Sequence, residues 1–212
     1  MYIPTSFEWN DRTQIAAFMR ENSFALLCSQ PSTGGVPLLT HTPALLEERA
    51  DGTWYLLTHL ARQNPQAQHL EASAGTDAGE VTVVFSGPHA YISPSLYGKV
   101  LNVPTWNYLA IHATGEVRVV REKEAVLAFF ETMFAAYDPA YAEQFHALPE
   151  GYTHGLLEAL TAIEIRITRL EAKCKLNQNK PADDRTRIAA SLAQSPRTEI
   201  RETGEWMTRI VL

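Results

Sequence analysis

Apolar and polar residues alternate with two different periods along this chain, and the switches between them predict its elements. At the start, Ile15, Phe18, Met19 and Asn22 share one side at helical spacing, and Asp11 is placed to cap that helix. Ser23–Ser29 carries a continuous apolar run, Phe-Ala-Leu-Leu-Cys, which predicts a buried strand. Pro31–Gly35 predicts a turn, and a second strand follows from Val36 to about Leu46, with Pro43 as an interruption or edge signal. Ala50–Thr53 predicts another turn and Trp54–Thr58 a third strand, so this stretch predicts a strand meander. Leu60–Glu71 predicts a helix whose start Pro65 limits or kinks. Thr76–Gly79 predicts a loop and Val81–Phe85 a further strand.

The second half predicts a similar mixture. Gly87–Pro104 is rich in loop residues and predicts irregular structure. Asn107–Gly115 and Glu116–Val120 predict a strand pair, with Gly115 permitting a bend or bulge. Glu122–Tyr137 predicts a helix with Ala125, Phe129, Met133 and Tyr137 spaced by four. Pro139–Ala162 predicts one or two short helices. Ile163, Ile165 and Ile167 alternate with Glu164, Arg166 and Thr168, predicting a half-buried strand to Leu170. Asp184–Gln194 predicts a last amphipathic helix. About six strands among short helices predict an α+β fold built on a mostly antiparallel barrel or sheet. The expected organisation is one domain over 1–194, then a polar C-terminal tail over 195–212 ending in a strand-like run, Trp206–Leu212.

Composition narrows the function classes. With 212 residues and 45% hydrophobic content the chain can bury a sizeable core. No apolar run approaches the roughly 20 residues that span a bilayer. Met1-Tyr-Ile-Pro4 lacks the basic-then-apolar pattern of a secretory signal, so a cytoplasmic protein is expected. The net charge of −6 is uneven: residues 1–172 hold 10 Lys/Arg against 19 Asp/Glu, and residues 173–212 hold 8 against 5. Binding to a phosphate backbone needs clustered positive charge, so direct nucleic-acid binding gains no support. Cys28 and Cys174 offer neither a Cys-x-x-Cys spacing nor a disulfide framework. Cys28 sits in an apolar run. The lysines flanking Cys174 would lower its pKa, whereas strand alternation would bury it.

The densest chemistry lies where a strand gives way to a helix, in Leu57-Thr-His-Leu-Ala-Arg-Gln-Asn-Pro65. A helix start offers unpaired N–H groups and a positive dipole end. Thr58 adds a hydroxyl, Arg62 a charged donor fork and Asn64 a donor or cap, which together suit a mononucleotide phosphate. Thr40-His41-Thr42-Pro43 interrupts an apolar strand with polar groups, as the polar edge of a flavin ring requires, or as a solvated edge strand would. Tyr91, Tyr97, Trp106 and Tyr108 crowd two proline-containing segments and suit a stacking wall or a dimer interface. Lys173 and Lys175 point the same way from a strand, towards a phosphate or a neighbouring carboxylate. The histidines show no metal spacing, and no serine-hydrolase elbow, Walker loop or dinucleotide fingerprint is present.

The order Met-Tyr-Ile-Pro, THLARQNP, GPHAYISPS, VPTWNY and KCKLNQN resembles the PaiB-type FMN-binding negative transcriptional regulators, from Met1 to about Leu192. The pattern departs where Leu96 stands for a usual Trp, Asn177 for Ser and Cys174 for an aromatic residue. The resemblance implies a flavin-reductase-like split β-barrel with peripheral helices, similar to the pyridoxamine-phosphate oxidase group, and a homodimer holding FMN at its interface. It implies phosphate donors Thr58 and Arg62 in the segment that also carries His59 and Asn64. The Thr40–Pro43 segment would lie along the isoalloxazine, and Trp106, Asn107, Lys175 and Gln178 would come from the partner subunit. An FMN-binding regulator is the implied function. A flavin-dependent oxidoreductase or flavin reductase using NAD(P)H is the alternative, since hydride transfer asks little of side chains.

Overall fold

The period-two segments do form strands, and what their order along the sheet adds is a closed seam. The computed structural model describes residues 1–31, 34–74 and 80–210. Its strands are β1 (Phe24–Ser29), β2 (Leu38–Pro43), β3 (Leu45–Glu48), β4 (Trp54–Ala61), β5 (Glu80–Ile92), β6 (Thr105–Val120) and β7 (Leu160–Lys175). Its α-helices are α1 (Arg12–Glu21), α2 (Pro65–Ser73), α3 (Lys123–Tyr137), α4 (Tyr141–His146), α5 (Glu150–Glu158), α6 (Ala182–Ala193) and α7 (Thr198–Ile210). The strands form one sheet in the order β2-β1-β5-β6-β7-β4-β3. The pairs β1–β2, β1–β5, β3–β4 and β4–β7 are antiparallel. This is an α+β fold on an antiparallel split β-barrel with peripheral helices.

The chain divides into two compact units. One comprises 19–85 and 112–170, the other 1–18, 86–111 and 171–212. The first holds parts of all seven strands. Its core gathers Leu57, Val120, Phe129, Phe130, Met133 and Ala162. The alternation of β1 buries Ala25, Leu27 and Ser29 and turns Phe24 outward. In place of a simple meander, β2 and β3 stand at opposite ends of the strand order although only Ala44 separates them in sequence. Side chains join the two ends: Thr42 Oγ1 donates to His59 O at 2.9 Å and lies 3.0 Å from Thr58 Oγ1. A barrel seam is thus made by threonine hydroxyls where no ladder runs.

The other unit packs around three rings. Trp9, Phe18 and Trp206 meet edge to face with centroids 5.4–5.7 Å apart. Helix α7 closes on α6 at Gly204, where a Cβ would press 3.1 Å from both Ala189 O and Leu192 Cβ.

Several expectations need correction. β4 extends through Ala61, so the helix expected from Leu60 begins only at Pro65, which takes the first helical position behind the Asn64 cap. The segment expected to be irregular from Gly87 continues β5 to Ile92. The pair of strands expected around Gly115 is one strand, β6. Gly115 serves close approach instead of a bulge, since a Cβ there would collide with the carbonyl oxygen of Arg166. The expected tail contains helix α7, which buries Thr203, Gly204, Trp206 and Met207. The expected turn at 31–35 rests partly on residues outside the described ones. The loop at 76–79 and the end of the strand-like run lie outside them too.

Candidate functional site

The seam brings the two polar segments of the first unit together. β4 ends at Ala61, and Arg62 N bonds Ala159 O at 2.8 Å, turning the chain towards α2. Asn64 Oδ1 accepts from Gln66 N at 2.8 Å and caps α2. Its Nδ2 donates to Thr40 Oγ1 at 3.2 Å. Gln66 is 1% exposed, and its Nε2 lies 3.0–3.2 Å from Leu27 O, Ser29 Oγ and Leu38 O. The start of α2 is therefore pinned to β1 and β2. Sequence reasoning missed Gln66; a glutamine on the buried side of a helix was the available signal.

Around this corner the expected residues differ in access. Arg62 is exposed, with Nη2 resting on Leu160 O at 3.1 Å. His41 is exposed and stacks on Phe24, ring centroids 6.0 Å apart. Thr40 and Pro43 are half-buried. Thr42 is buried in the seam, and Thr58 has no exposed surface at all. Thr58 Oγ1 lies in the seam, 3.0 Å from Thr42 Oγ1. His59 is half-buried beside Phe130, at 5.3 Å between centroids, and burial holds its imidazole below the ordinary value. Its Nδ1 is buried without a hydrogen-bond partner.

Trp106, Asn107, Lys175 and Gln178 belong to the other unit. Trp106 is exposed, and its Nε1 donates to His89 Nδ1 at 3.1 Å. His89 Nε2 stands 2.6 Å from Glu199 on α7. An Nδ1 that accepts leaves the proton on Nε2, which donates a hydrogen bond to Glu199, and the indole is held in place. This relay, His89 and Glu199, was not foreseen. Lys175 Nζ donates to Trp106 O at 2.9 Å and to Thr105 Oγ1. Desolvation, then the charge of Lys173, lowers its pKa. Lys173 itself is buried and donates to Tyr2 O at 3.0 Å, so the two lysines serve different partners.

Asn107 and Gln178 are turned inward. Asn107 is fully buried, its Nδ2 3.5 Å from Met207 Sδ. Gln178 closes its own turn, accepting from Leu176 N at 2.7 Å and donating to Cys174 O. Asn107 Oδ1 is buried without a hydrogen-bond partner. The Cys174 thiol is pushed up to about 12 by burial. Desolvation outweighs the lowering effect of the Gln178 hydrogen bond, so the thiol moves opposite to the direction its flanking lysines would give.

The comparisons with known proteins agree with this architecture. The family model described as "Putative FMN-binding domain" matches residues 1–169. The chain is 30% identical over 209 residues to the "Protease synthase and sporulation protein PAI 2" of Bacillus subtilis, covering 98% of this chain and 96% of that protein. Among solved structures it resembles the flavocytochrome Anf3 of Azotobacter vinelandii, with TM-score 0.60 and 15% identity over 80% of this chain and 69% of that one. It also resembles the FAD and heme binding protein of Mycobacterium smegmatis, with TM-score 0.60 and 15% identity over 86% of this chain and 79% of that one. These structural likenesses carry the fold. The match over most of the chain and the full-length relative carry the family: this chain belongs to the FMN-binding domain family, and FMN is the cofactor that membership assigns to it.

Proposed function

We propose that the protein holds FMN between two copies of the chain, its phosphate at the Arg62 corner and its ring along Thr40–Pro43. The observation that carries this reading is the 3.2 Å bond from Asn64 to Thr40, which ties the anion-favouring corner to the strand beneath the ring. The donor set fits the cofactor. An exposed permanent cation beside the positive dipole end of α2 suits a phosphate. β2 is outermost in the strand order, so one row of its backbone groups is left for the pyrimidine edge.

Phe24, 70% exposed, and Leu39, 57% exposed, leave an apolar face on β1 and β2 that a second copy would cover. Trp106 is the residue best prepared to be the partner's contribution, with Lys175 behind it. Bound FMN supplies redox chemistry, and the protein supplies binding and orientation.

The role is that of a PaiB-type negative regulator in the cytoplasm. Two free thiols suit a reducing compartment. With a net charge of −6 it acts through a partner or through metabolism, not by gripping DNA itself. The test is FMN titration of Arg62→Ala. Affinity falls by about 1.5–3 kcal/mol with folding unchanged, the range for a charge-assisted hydrogen bond. Unchanged affinity removes Arg62 from the site. A regulator of this kind keeps its oxidised-flavin absorbance when NADH or NADPH is added. Rapid bleaching would replace the regulator with the oxidoreductase.

A further inference from the structure

The first unit contains a hollow of about 430 Å³. Helices α3, α4 and α5 wall it, with Pro43, His59 and Leu160 from the strands. Its volume is within the range of small-molecule sites and far above an ordinary packing void. Three of its rings, Phe134, Tyr141 and Phe145, form a mutual cluster with centroids 4.9–6.1 Å apart. Phe130 continues it towards His59. Among the described residues that line it, Asp138 is the one carboxylate and none is a lysine or an arginine. Such a lining rejects an anion and offers flat apolar surface. It carries a single imidazole, which burial keeps neutral and which can therefore exchange one hydrogen bond with an uncharged group.

We propose that this hollow is a second binding site, for a small uncharged aromatic molecule that packs among the rings and directs one polar group to His59. The site adjoins the proposed flavin segment through Pro43 and His59 but does not depend on flavin being bound there.

Naphthol, naphthalene and naphthoate are the probes, titrated by fluorescence into the full chain with and without FMN. Naphthol binds in both states, naphthalene binds more weakly, and naphthoate binds about tenfold more weakly or worse because its charge must be desolvated beside Asp138. His59→Phe brings naphthol down to the level of naphthalene. Leu157→Trp fills the hollow and removes binding. Leu156→Asp, at the 41% exposed rim, does the same without touching the core, should the tryptophan variant not fold. Absence of naphthol binding, equal binding of naphthoate, or retention in both leucine variants overturns the proposal. So does competition between naphthol and FMN, which would make the hollow the flavin's own slot. Loss of FMN binding with naphthol binding intact strikes only the flavin reading.

Discussion

The corner at the end of β4 and the cluster around Trp106 start from similar material and end in opposite states. Each holds a basic side chain, an asparagine and a threonine or glutamine near a strand end. At the corner, Asn64 and Gln66 satisfy the local backbone and leave Arg62 outside. In the cluster, Asn107 and Gln178 turn into their own unit and Lys175 clamps backbone, leaving the Trp106 ring as the exposed group. Polar residues near a pocket are therefore not interchangeable candidates. A residue that completes the fold's own hydrogen bonds is no longer offered to a ligand.

Four measurements break or sharpen that contrast. The largest effect is expected at Trp206, which anchors α7 over the inward-turned cluster. Trp206→Ala costs about 3–5 kcal/mol in urea unfolding, the range for a large ring removed from a core. A loss below 1 kcal/mol, on the scale of a surface substitution, would mean that α7 is not what seals Asn107.

Next is Gln66→Leu, which leaves two backbone carbonyls and Ser29 without their donor. It costs about 1–3 kcal/mol and weakens FMN as the corner loosens. Stability lost with FMN affinity intact would separate the corner from the cofactor.

Smaller still is a pH effect at His59. Its folded pKa lies below the ordinary 6.5, so the unfolded chain binds the proton more readily. Stability is complete above that ordinary value and declines as pH falls through it towards the folded value. His59→Gln flattens that decline, and an unchanged slope would assign it to other groups.

The smallest change is expected at the thiols. Cys174, pushed up to about 12, stays unlabelled by a thiol reagent in the folded protein, while half-buried Cys28 reacts slowly. Rapid labelling of Cys174 would show that the turn after β7 opens.

Much of the fold was legible in the chain. Asp11 does cap the first helix, with Oδ1 accepting from Gln14 N at 3.0 Å, the continuous apolar run marks β1, and the alternation from Ile163 marks β7. What misled was local density of one residue type. Prolines and glycines near position 90 suggested a loop, yet β5 carries them to Ile92. The aromatic and β-branched run from Trp206 suggested a strand. Thr203, Trp206, Met207 and Ile210 nevertheless follow helical spacing, and three of the four are buried on that face. For the candidate site, the two segments were legible but their meeting was not. Nothing in the spacing tells that Thr42 lies against Thr58, or Asn64 against Thr40.

By itself the sequence determined where most of the helices and strands lie, which family the chain resembles, and that its charge does not suit a nucleic-acid backbone. Those properties follow from local periodicity, from residue types and from order along the chain. Tertiary structure alone decided which polar groups remain available. Thr58 and Thr42 went to the seam, Asn107 under α7, and Arg62 to the surface. Access is set by burial and by competition for hydrogen-bond partners distant in sequence, and neither quantity exists until the chain has folded.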